Sequence, residues 1–153
     1  MISAIGAVFL SIETGRVMLV LRSHKTSYPN HFSFVGGKIE KGESHTEALL
    51  REITEEMGYI PEYSDMIPFS VFKSPDGNFE YYSILVTVED EFIPKLNSES
   101  DGYCWVDIKH LPKPLHPGAK STLYNDYIVG DIISIWKSKK YGELFVNTVI
   151  DQF

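Results

Sequence analysis

The chain has little cysteine and no hydrophobic run long enough to cross a membrane. Cys104 is the single cysteine among 153 residues, so no disulfide can form within the chain and a reducing compartment is expected. A membrane-spanning helix needs about 20 consecutive apolar residues, and no run approaches that length. Residues 1–10 are apolar but lack a basic start and a cleavage site, which favours a β-strand over a signal peptide. These features predict a cytoplasmic protein without a membrane partner.

Positive charge is also scarce. The chain has 14 Lys and Arg against 21 Asp and Glu, a net charge of −7. Nucleic acid is a polyanion and would be repelled, so no nucleic-acid partner is expected. The one dense basic run, Lys137 to Lys140, is explained by a solvated helix end. A phosphorylated small molecule would meet the same repulsion unless cations mediated its binding.

The chain shows no internal repeat, low-complexity segment or linker, so we expect a single domain over residues 1–153. Hydrophobic periodicity predicts strands and helices in the order β-β-β-α-β-β-β-α, typical of an α/β protein with a mixed sheet and helices on its faces. The predicted strands are 2–10, 17–22, 32–35, 66–73, 79–90 and 103–107, and the predicted helices are 44–57 and 120–136.

Three carboxylates crowd one face of the first predicted helix. At 100° per residue, Glu52, Glu55 and Glu56 share a face, and each like-charged pair costs about 0.2–0.5 kcal/mol. They also lie in the C-terminal half of the helix, where the helix dipole favours cations. A solvated acidic face is the simple explanation. Oxygen ligands clustered on a rigid element are also what magnesium or manganese prefers, which makes a metal site the alternative.

The spacing around these acids resembles the Nudix box of the Nudix hydrolase family. Gly37 is followed after five residues by Glu43, and after seven more by Arg51-Glu52-Ile53-x-Glu55-Glu56-x-Gly58. Every polar and glycine position of the box, Gly37 to Tyr59, is matched. The departure is Tyr59, where the family usually has an aliphatic residue. The resemblance implies a Nudix-type α/β/α sandwich with a mixed β-sheet.

The resemblance also implies the roles of individual residues. Arg51, Glu52 and Glu55 would be catalytic, with Arg51 orienting Glu52 through a charge-assisted hydrogen bond. Glu52 could act as the base or as a metal ligand, and Arg51 could instead neutralise Glu55 or Glu47. Glu43 would be a structural or outer acid. Mg²⁺ or Mn²⁺ would be held by the Gly36 carbonyl, Glu52, Glu55 and Glu56, with Glu99, or alternatively Asp101, as a further ligand.

The activity implied by the resemblance is hydrolysis of a pyrophosphate bond in a nucleoside diphosphate linked to another group. We expect an ADP-containing substrate such as ADP-ribose, a dinucleoside polyphosphate or FAD, with a nucleoside triphosphate, including an oxidised one, as the near alternative. Decapping of messenger RNA is disfavoured because no long basic surface is present. The candidate substrate contacts are Arg22, Gly37, Tyr82 and His116, with Phe9 and Phe72 more suited to the core.

Two other functions share the fold. A non-catalytic nucleotide sensor is disfavoured by the intact Glu52, Glu55 and Glu56. A diphosphate isomerase usually needs a reactive cysteine and an additional acid, and Cys104 beside Trp105 suits a buried strand instead. The apolar tail, residues 141–153, is expected to be ordered, and its stretch from Leu144 to Phe153 could form a homodimer surface.

Overall fold

The computed structural model describes residues 1–142, which form a seven-stranded sheet and three helices. The elements in chain order are β1 (Ile2–Ser11), β2 (Val17–Arg22), β3 (Phe32–Ser33), β4 (Val35–Lys38), α1 (His45–Met57), β5 (Asp65–Lys73), β6 (Phe79–Val88), β7 (Ser100–Val106), α2 (Pro117–Leu123) and α3 (Asp126–Tyr141). Residues 143–153 lie outside the described part of the chain, and with them the predicted packing of the tail and the predicted homodimer surface.

The sheet is mixed, as the sequence predicts. Strand β1 is central and runs parallel to β6 along its whole length, from Ile2 opposite Phe79 to Ser11 opposite Val88. The opposite edge of β1 is shared, because β2 pairs with it near Leu10 and β4 pairs with it at residues 4–7. Strand β5 lies antiparallel beyond β6, while β3 and β7 both pair with β2. The divided edge of β1 brings β4 and its glycines against the centre of the sheet.

Both faces of the sheet are covered by helices, which confirms the α/β/α arrangement. Alternate residues of β1 point to opposite faces. Ile5 and Phe9 belong to the cluster that contains the apolar face of α1, whereas Val8 and Leu10 belong to the cluster that contains α2 and α3. Phe9 is fully buried, which agrees with its expected place in the core. Because both faces are buried, β1 is apolar almost throughout.

Helix α1 begins and ends where its capping residues predict. The Ser44 hydroxyl accepts a hydrogen bond from the Glu47 N–H, and the Glu47 carboxylate accepts one from the Ser44 N–H, which together form a capping box. Gly58 closes the helix with a left-handed backbone, φ 77°. Leu49, Ile53 and Met57 are buried against the sheet, as the helical period predicts. The helix is therefore fixed at both ends and along its apolar face.

The predicted helix 120–136 is wrong in its continuity. It is divided into α2 and α3, because the Asn125 side chain accepts hydrogen bonds from the N–H groups of Tyr127 and Ile128 and so starts a new helix. The predicted strand 32–35 is likewise interrupted between β3 and β4, at Phe34. Among residues 1–142, no helix combines the length and the apolar character needed to cross a membrane.

Candidate active site

A cleft of about 390 Å³ opens where α1, β4 and the loop before β7 meet. Its lining includes most of the residues that the sequence singles out: Arg22, Gly36, Gly37, Glu52, Glu55, Glu56, Glu99 and His116. The C-terminal half of α1 supplies the acidic side, and β4, paired with β1, lies next to it. The structure therefore gathers residues from five separate stretches of the chain into one concave surface.

Two of the three helix carboxylates are buried rather than solvated. Glu52 is 8% exposed and Glu56 is 7% exposed, whereas Glu55 is exposed. One Glu56 oxygen, Oε2, accepts a hydrogen bond from the Gly36 N–H at 2.7 Å, so α1 is tied directly to β4. A surface acidic face would leave these carboxylates in water, so the solvated-face explanation fails for Glu52 and Glu56.

Burial raises the pKa of both carboxyl groups. Desolvation, followed by repulsion from Glu52 and Glu99, raises the pKa of Glu56 to about 9. Desolvation also raises the pKa of Glu52, although the hydrogen bond from Arg51 opposes the increase. A cation bound beside these carboxyl groups would oppose the effect of burial and favour their ionised forms.

Arg51 connects the acids of the box to one another. Its Nε and Nη2 atoms donate to the two Glu43 carboxylate oxygens at 2.7 and 2.9 Å, a two-pronged ion pair. Its Nη1 atom donates to Glu52 at 2.9 Å and to Glu55 at 3.3 Å, and Nη2 also donates to the Lys38 carbonyl at 3.0 Å. Both of the roles predicted for Arg51, toward Glu52 and toward Glu55, therefore correspond to contacts.

The two glycines of β4 allow close approaches that any other residue would block. A Cβ at Gly37 would lie 2.6 Å from Glu52 Oε1, so the absence of a side chain lets Glu52 lie against the strand. A Cβ at Gly36 would overlap the Ile5 carbonyl on β1. Gly36 thus permits the pairing of β4 with β1, and Gly37 permits the position of Glu52.

Arg22 and His116 lie elsewhere on the wall of the cleft. Arg22 donates from Nε to the Ser27 carbonyl at 2.6 Å and from Nη2 to the Ser27 hydroxyl at 3.0 Å. His116 caps α2, where its Nδ1 accepts from the Gly118 N–H at 3.0 Å. Burial, followed by the charge of Arg22, lowers the pKa of His116 to about 4, so His116 is neutral at physiological pH.

The sequence matches the NUDIX domain over residues 2–126. The chain belongs to the Nudix family. Among solved structures it resembles a Nudix hydrolase of Burkholderia pseudomallei, with a TM-score of 0.65 and 20% identity over 82% of this chain and 97% of that one. At that identity the likeness concerns the Nudix fold alone.

Two curated Nudix relatives carry different names. An ADP-ribose pyrophosphatase of Methanocaldococcus jannaschii is 30% identical over 105 residues, which is 67% of this chain and 61% of the relative. An 8-oxo-dGTP diphosphatase of Escherichia coli is 30% identical over 74 residues, which is 48% of this chain and 57% of the relative. The chain thus spans about three fifths of the length of these relatives.

The oxygen-rich acidic side of the cleft fits the divalent metal ions that Nudix hydrolases generally use. Carboxylates are the ligands that such hard cations prefer, and a bound cation would offset the desolvation that raises the pKa of Glu52 and Glu56. Within residues 1–142, no group of three Asp, Glu, His or Cys side chains is already arranged to coordinate a metal ion. Glu52 and Glu55 are turned toward Arg51 instead.

The predicted substrate contact Tyr82 and the alternative ligand Asp101 lie outside the cleft, as does Cys104, which only the isomerase alternative would use. The Tyr82 ring packs on His45 of α1, with ring centroids 4.3 Å apart, and its hydroxyl donates to Glu80. Asp101 is exposed and is absent from the cleft lining, which includes Glu99. Cys104 lies on β7 opposite Leu19. Burial raises the pKa of its thiol, the opposite of what a reactive cysteine needs.

Several side chains of the cleft were missed by sequence reasoning, and Ser33 and Tyr81 are the buried hydroxyls among them. Strand alternation predicts that one of Tyr81 and Tyr82 faces inward, and it is Tyr81, 6% exposed, that does so and lines the cleft. Ser33 is 2% exposed and also lines the cleft. Ser33 lies three residues before Gly36, and no local pattern distinguishes it from an ordinary strand serine.

Proposed function

We propose that this chain is a divalent-metal-dependent Nudix pyrophosphohydrolase acting on a small nucleotide derivative. The observation that carries the proposal is the buried pair Glu52 and Glu56 facing a cleft, with the pKa of both carboxyls raised by burial. A buried carboxylate is costly for a fold unless a cation is paired with it, and among residues 1–142 Glu52 has such a partner in Arg51 whereas Glu56 is in no ion pair. A role in binding metal and activating water explains why they are kept.

The residues suited to hold Mg²⁺ or Mn²⁺ are Glu52, Glu55, Glu56 and Glu99, together with the Gly36 carbonyl. When bound, a divalent cation neutralises the charge of a pyrophosphate and lowers the pKa of water. Glu52 is placed to accept the proton of the attacking water or to serve as a ligand. Its raised pKa brings the carboxyl closer to neutral pH, where a general base is most effective.

Arg51 is a positioning residue in this proposal. It holds Glu52 and is itself held by the two-pronged pair with Glu43 and by the Lys38 carbonyl. Because three contacts fix the guanidinium, the orientation of Glu52 does not depend on a flexible side chain. Arg22, tied on one edge to Ser27, is placed on the cleft wall as a cation for a substrate phosphate.

The preferred substrates are ADP-containing compounds, namely ADP-ribose, dinucleoside polyphosphates or FAD. Similarity to an ADP-ribose pyrophosphatase over two thirds of this chain supports that choice. Similarity to an 8-oxo-dGTP diphosphatase supports the second candidate, cleavage of an oxidised nucleoside triphosphate. A non-catalytic nucleotide sensor remains the more distant alternative, and it would not require Glu52.

The test is product analysis on the purified chain with both groups of substrates. ADP-ribose, a dinucleoside polyphosphate, FAD, dGTP and 8-oxo-dGTP are incubated with Mg²⁺, with Mn²⁺ or with a chelator, and the nucleotide products are separated. We expect metal-dependent formation of a nucleoside monophosphate. Glu52→Gln should lower kcat by about 10²–10⁴-fold, whereas Glu62→Gln, at an exposed position, should not. Full turnover by Glu52→Gln would contradict the assigned chemistry, and no cleavage under any condition would favour the sensor.

A further inference from the structure

The Ser33 hydroxyl is buried in the cleft wall without a hydrogen-bond partner. Ser33 lies on β3 opposite Val20 of β2 and is 2% exposed. Across residues 1–142, its Oγ is the buried side-chain polar atom that lacks any partner. Nearly all buried polar groups in folded proteins are hydrogen-bonded. An unpaired hydroxyl at the wall of a binding cleft therefore indicates a partner that arrives with the ligand.

A second hydroxyl, that of Tyr81, is held rigidly on the same cleft. Tyr81 lies on β6 and is 6% exposed. Its ring is enclosed between two glycines: a Cβ at Gly118 would lie 3.1 Å from the ring, and a Cβ at Gly6 would overlap the hydroxyl oxygen. A phenol titrates at about pH 10, so at neutral pH the Tyr81 hydroxyl carries its proton and is a hydrogen-bond donor.

The lining around these two hydroxyls is partly apolar and aromatic, and Glu56 and Arg22 lie on the side nearer the helix carboxylates. Ala4, Val20, Phe34 and Phe79 contribute apolar surface to the cleft. This apolar part of the wall does not suit a phosphate, which needs cations or N–H donors such as those of Arg22 elsewhere on the cleft. Apolar and aromatic walls with a few fixed neutral hydrogen-bonding groups suit a flat heteroaromatic ring that has polar atoms at its edge.

On the basis of the proposed function, we propose that the Ser33 and Tyr81 hydroxyls form hydrogen bonds to the nucleobase of the substrate. They act as specificity-determining residues, because a base that presents polar atoms to both is favoured over one that leaves a buried hydroxyl unpaired. The acidic side of the cleft would meanwhile face the pyrophosphate. The two parts of a nucleotide thus meet two chemically distinct parts of one cleft.

The first arm of the test measures the melting temperature of the protein without ligand. Ser33→Ala removes an oxygen that has no partner, so the melting temperature should stay unchanged or rise. The matched control is Ser83→Ala, because Ser83 is equally buried but its hydroxyl is paired with Thr122 at 3.1 Å. The control should lower the melting temperature. If Ser33→Ala lowered it as much as Ser83→Ala does, the Ser33 hydroxyl would support the free fold and the proposal would be overturned.

The second arm measures ligand binding by calorimetry, independently of turnover. The probes are AMP, GMP, CMP and UMP, with ribose 5-phosphate as the ligand that lacks a base. In Ser33→Ala and in Tyr81→Phe, the best-bound monophosphate of the wild type should bind about three- to tenfold more weakly. Binding of ribose 5-phosphate should be unchanged, and Ser83→Ala should bind all probes as the wild type does.

The outcomes separate this proposal from the pyrophosphohydrolase activity. If the two variants bind the best monophosphate more weakly while the wild type cleaves none of the substrates, base recognition is supported and the pyrophosphohydrolase activity is rejected. Wild-type binding by both variants of an active enzyme rejects base recognition alone. Equal weakening toward ribose 5-phosphate places the hydroxyls at the sugar or phosphate and overturns the proposal, as does failure of the wild type to bind any monophosphate.

Discussion

At the residue scale, the geometry of the site depends on the absence of a side chain at Gly37 as well as on the acidic residues. A Cβ on Gly37 would lie 2.6 Å from Glu52 Oε1, too close for both to keep their places. A methyl group there forces the carboxylate to move, and a displacement of about 1 Å from a productive geometry can cost about a hundredfold in rate. The position of the Glu52 carboxylate is thus set by a residue 15 positions earlier in the chain.

Gly37→Ala is therefore expected to reduce kcat by about a hundredfold while the fold persists. Steady-state kinetics with the best substrate, together with urea unfolding, is the measurement. Gly102→Ala is the matched control, because a Cβ at Gly102 meets nothing within 4 Å. Equal kinetics for Gly37→Ala and the wild type would show that Glu52 does not need its present position.

At the scale of the element, the Ser44 cap fixes where α1 begins and so stabilises the helix that carries the three carboxylates. The reciprocal hydrogen bonds of Ser44 and Glu47 satisfy N–H groups that the helix itself leaves unpaired. Ser44→Ala should lower the free energy of unfolding by about 1 kcal/mol. Urea denaturation measures the loss, and Ser44→Asp, which keeps a capping oxygen, should recover most of it. A loss in Ser44→Asp equal to that in Ser44→Ala would exclude capping as the cause.

The start of α2 makes the stability of the protein depend on pH. The pKa of His116 is lowered from 6.5 to about 4 in the fold, so between these values the unfolded chain binds more protons than the folded one. The free energy of unfolding should therefore fall as the pH drops through this window. Allowing for solvent screening at this partly exposed site, the contribution is about 1 kcal/mol.

His116→Asn isolates this effect, because Asn is a good N-cap but does not titrate. Urea unfolding between pH 4 and pH 7 should show a shallower loss of stability in the variant than in the wild type. His24→Asn, in the exposed loop after β2, should keep the wild-type slope. An unchanged slope in His116→Asn would assign the acid sensitivity to other groups.

At the scale of the whole molecule, metal binding and folding should be linked. A cation that binds only the folded chain raises its stability, by about 2.7 kcal/mol at a concentration 100 times the dissociation constant. Mg²⁺ should therefore raise the melting temperature above that in NaCl of equal ionic strength. Glu56→Gln, which can still accept from the Gly36 N–H, should lose the increase, and Glu62→Gln should keep it. An equal increase in Glu56→Gln would place the cation elsewhere.

Sequence reasoning succeeded where the relevant information is local. The bounds of α1 follow from residues within a few positions of one another, and the predicted helix 44–57 agrees with the structure to within one residue. The prediction of one continuous helix over residues 120–136 was wrong, because the Asn125 side chain caps a new helix within an otherwise unbroken apolar period. The choice of Tyr82 over Tyr81 as a substrate contact could not be settled from alternation alone, since alternation does not say which face of a strand adjoins the cleft.

The sequence alone determined that Glu52, Glu55 and Glu56 share a helical face and that glycines precede them, because the geometry of a single helix depends only on spacing. Only the tertiary structure decided that Glu52 and Glu56 are buried, that Arg51 joins Glu43 to Glu52, and that Ser33 and Tyr81 complete the cleft. Burial and charge depend on residues that are distant in the chain and meet only when β1, β4 and β6 pair. The pKa values of the site are thus properties of the packed sheet and helix together.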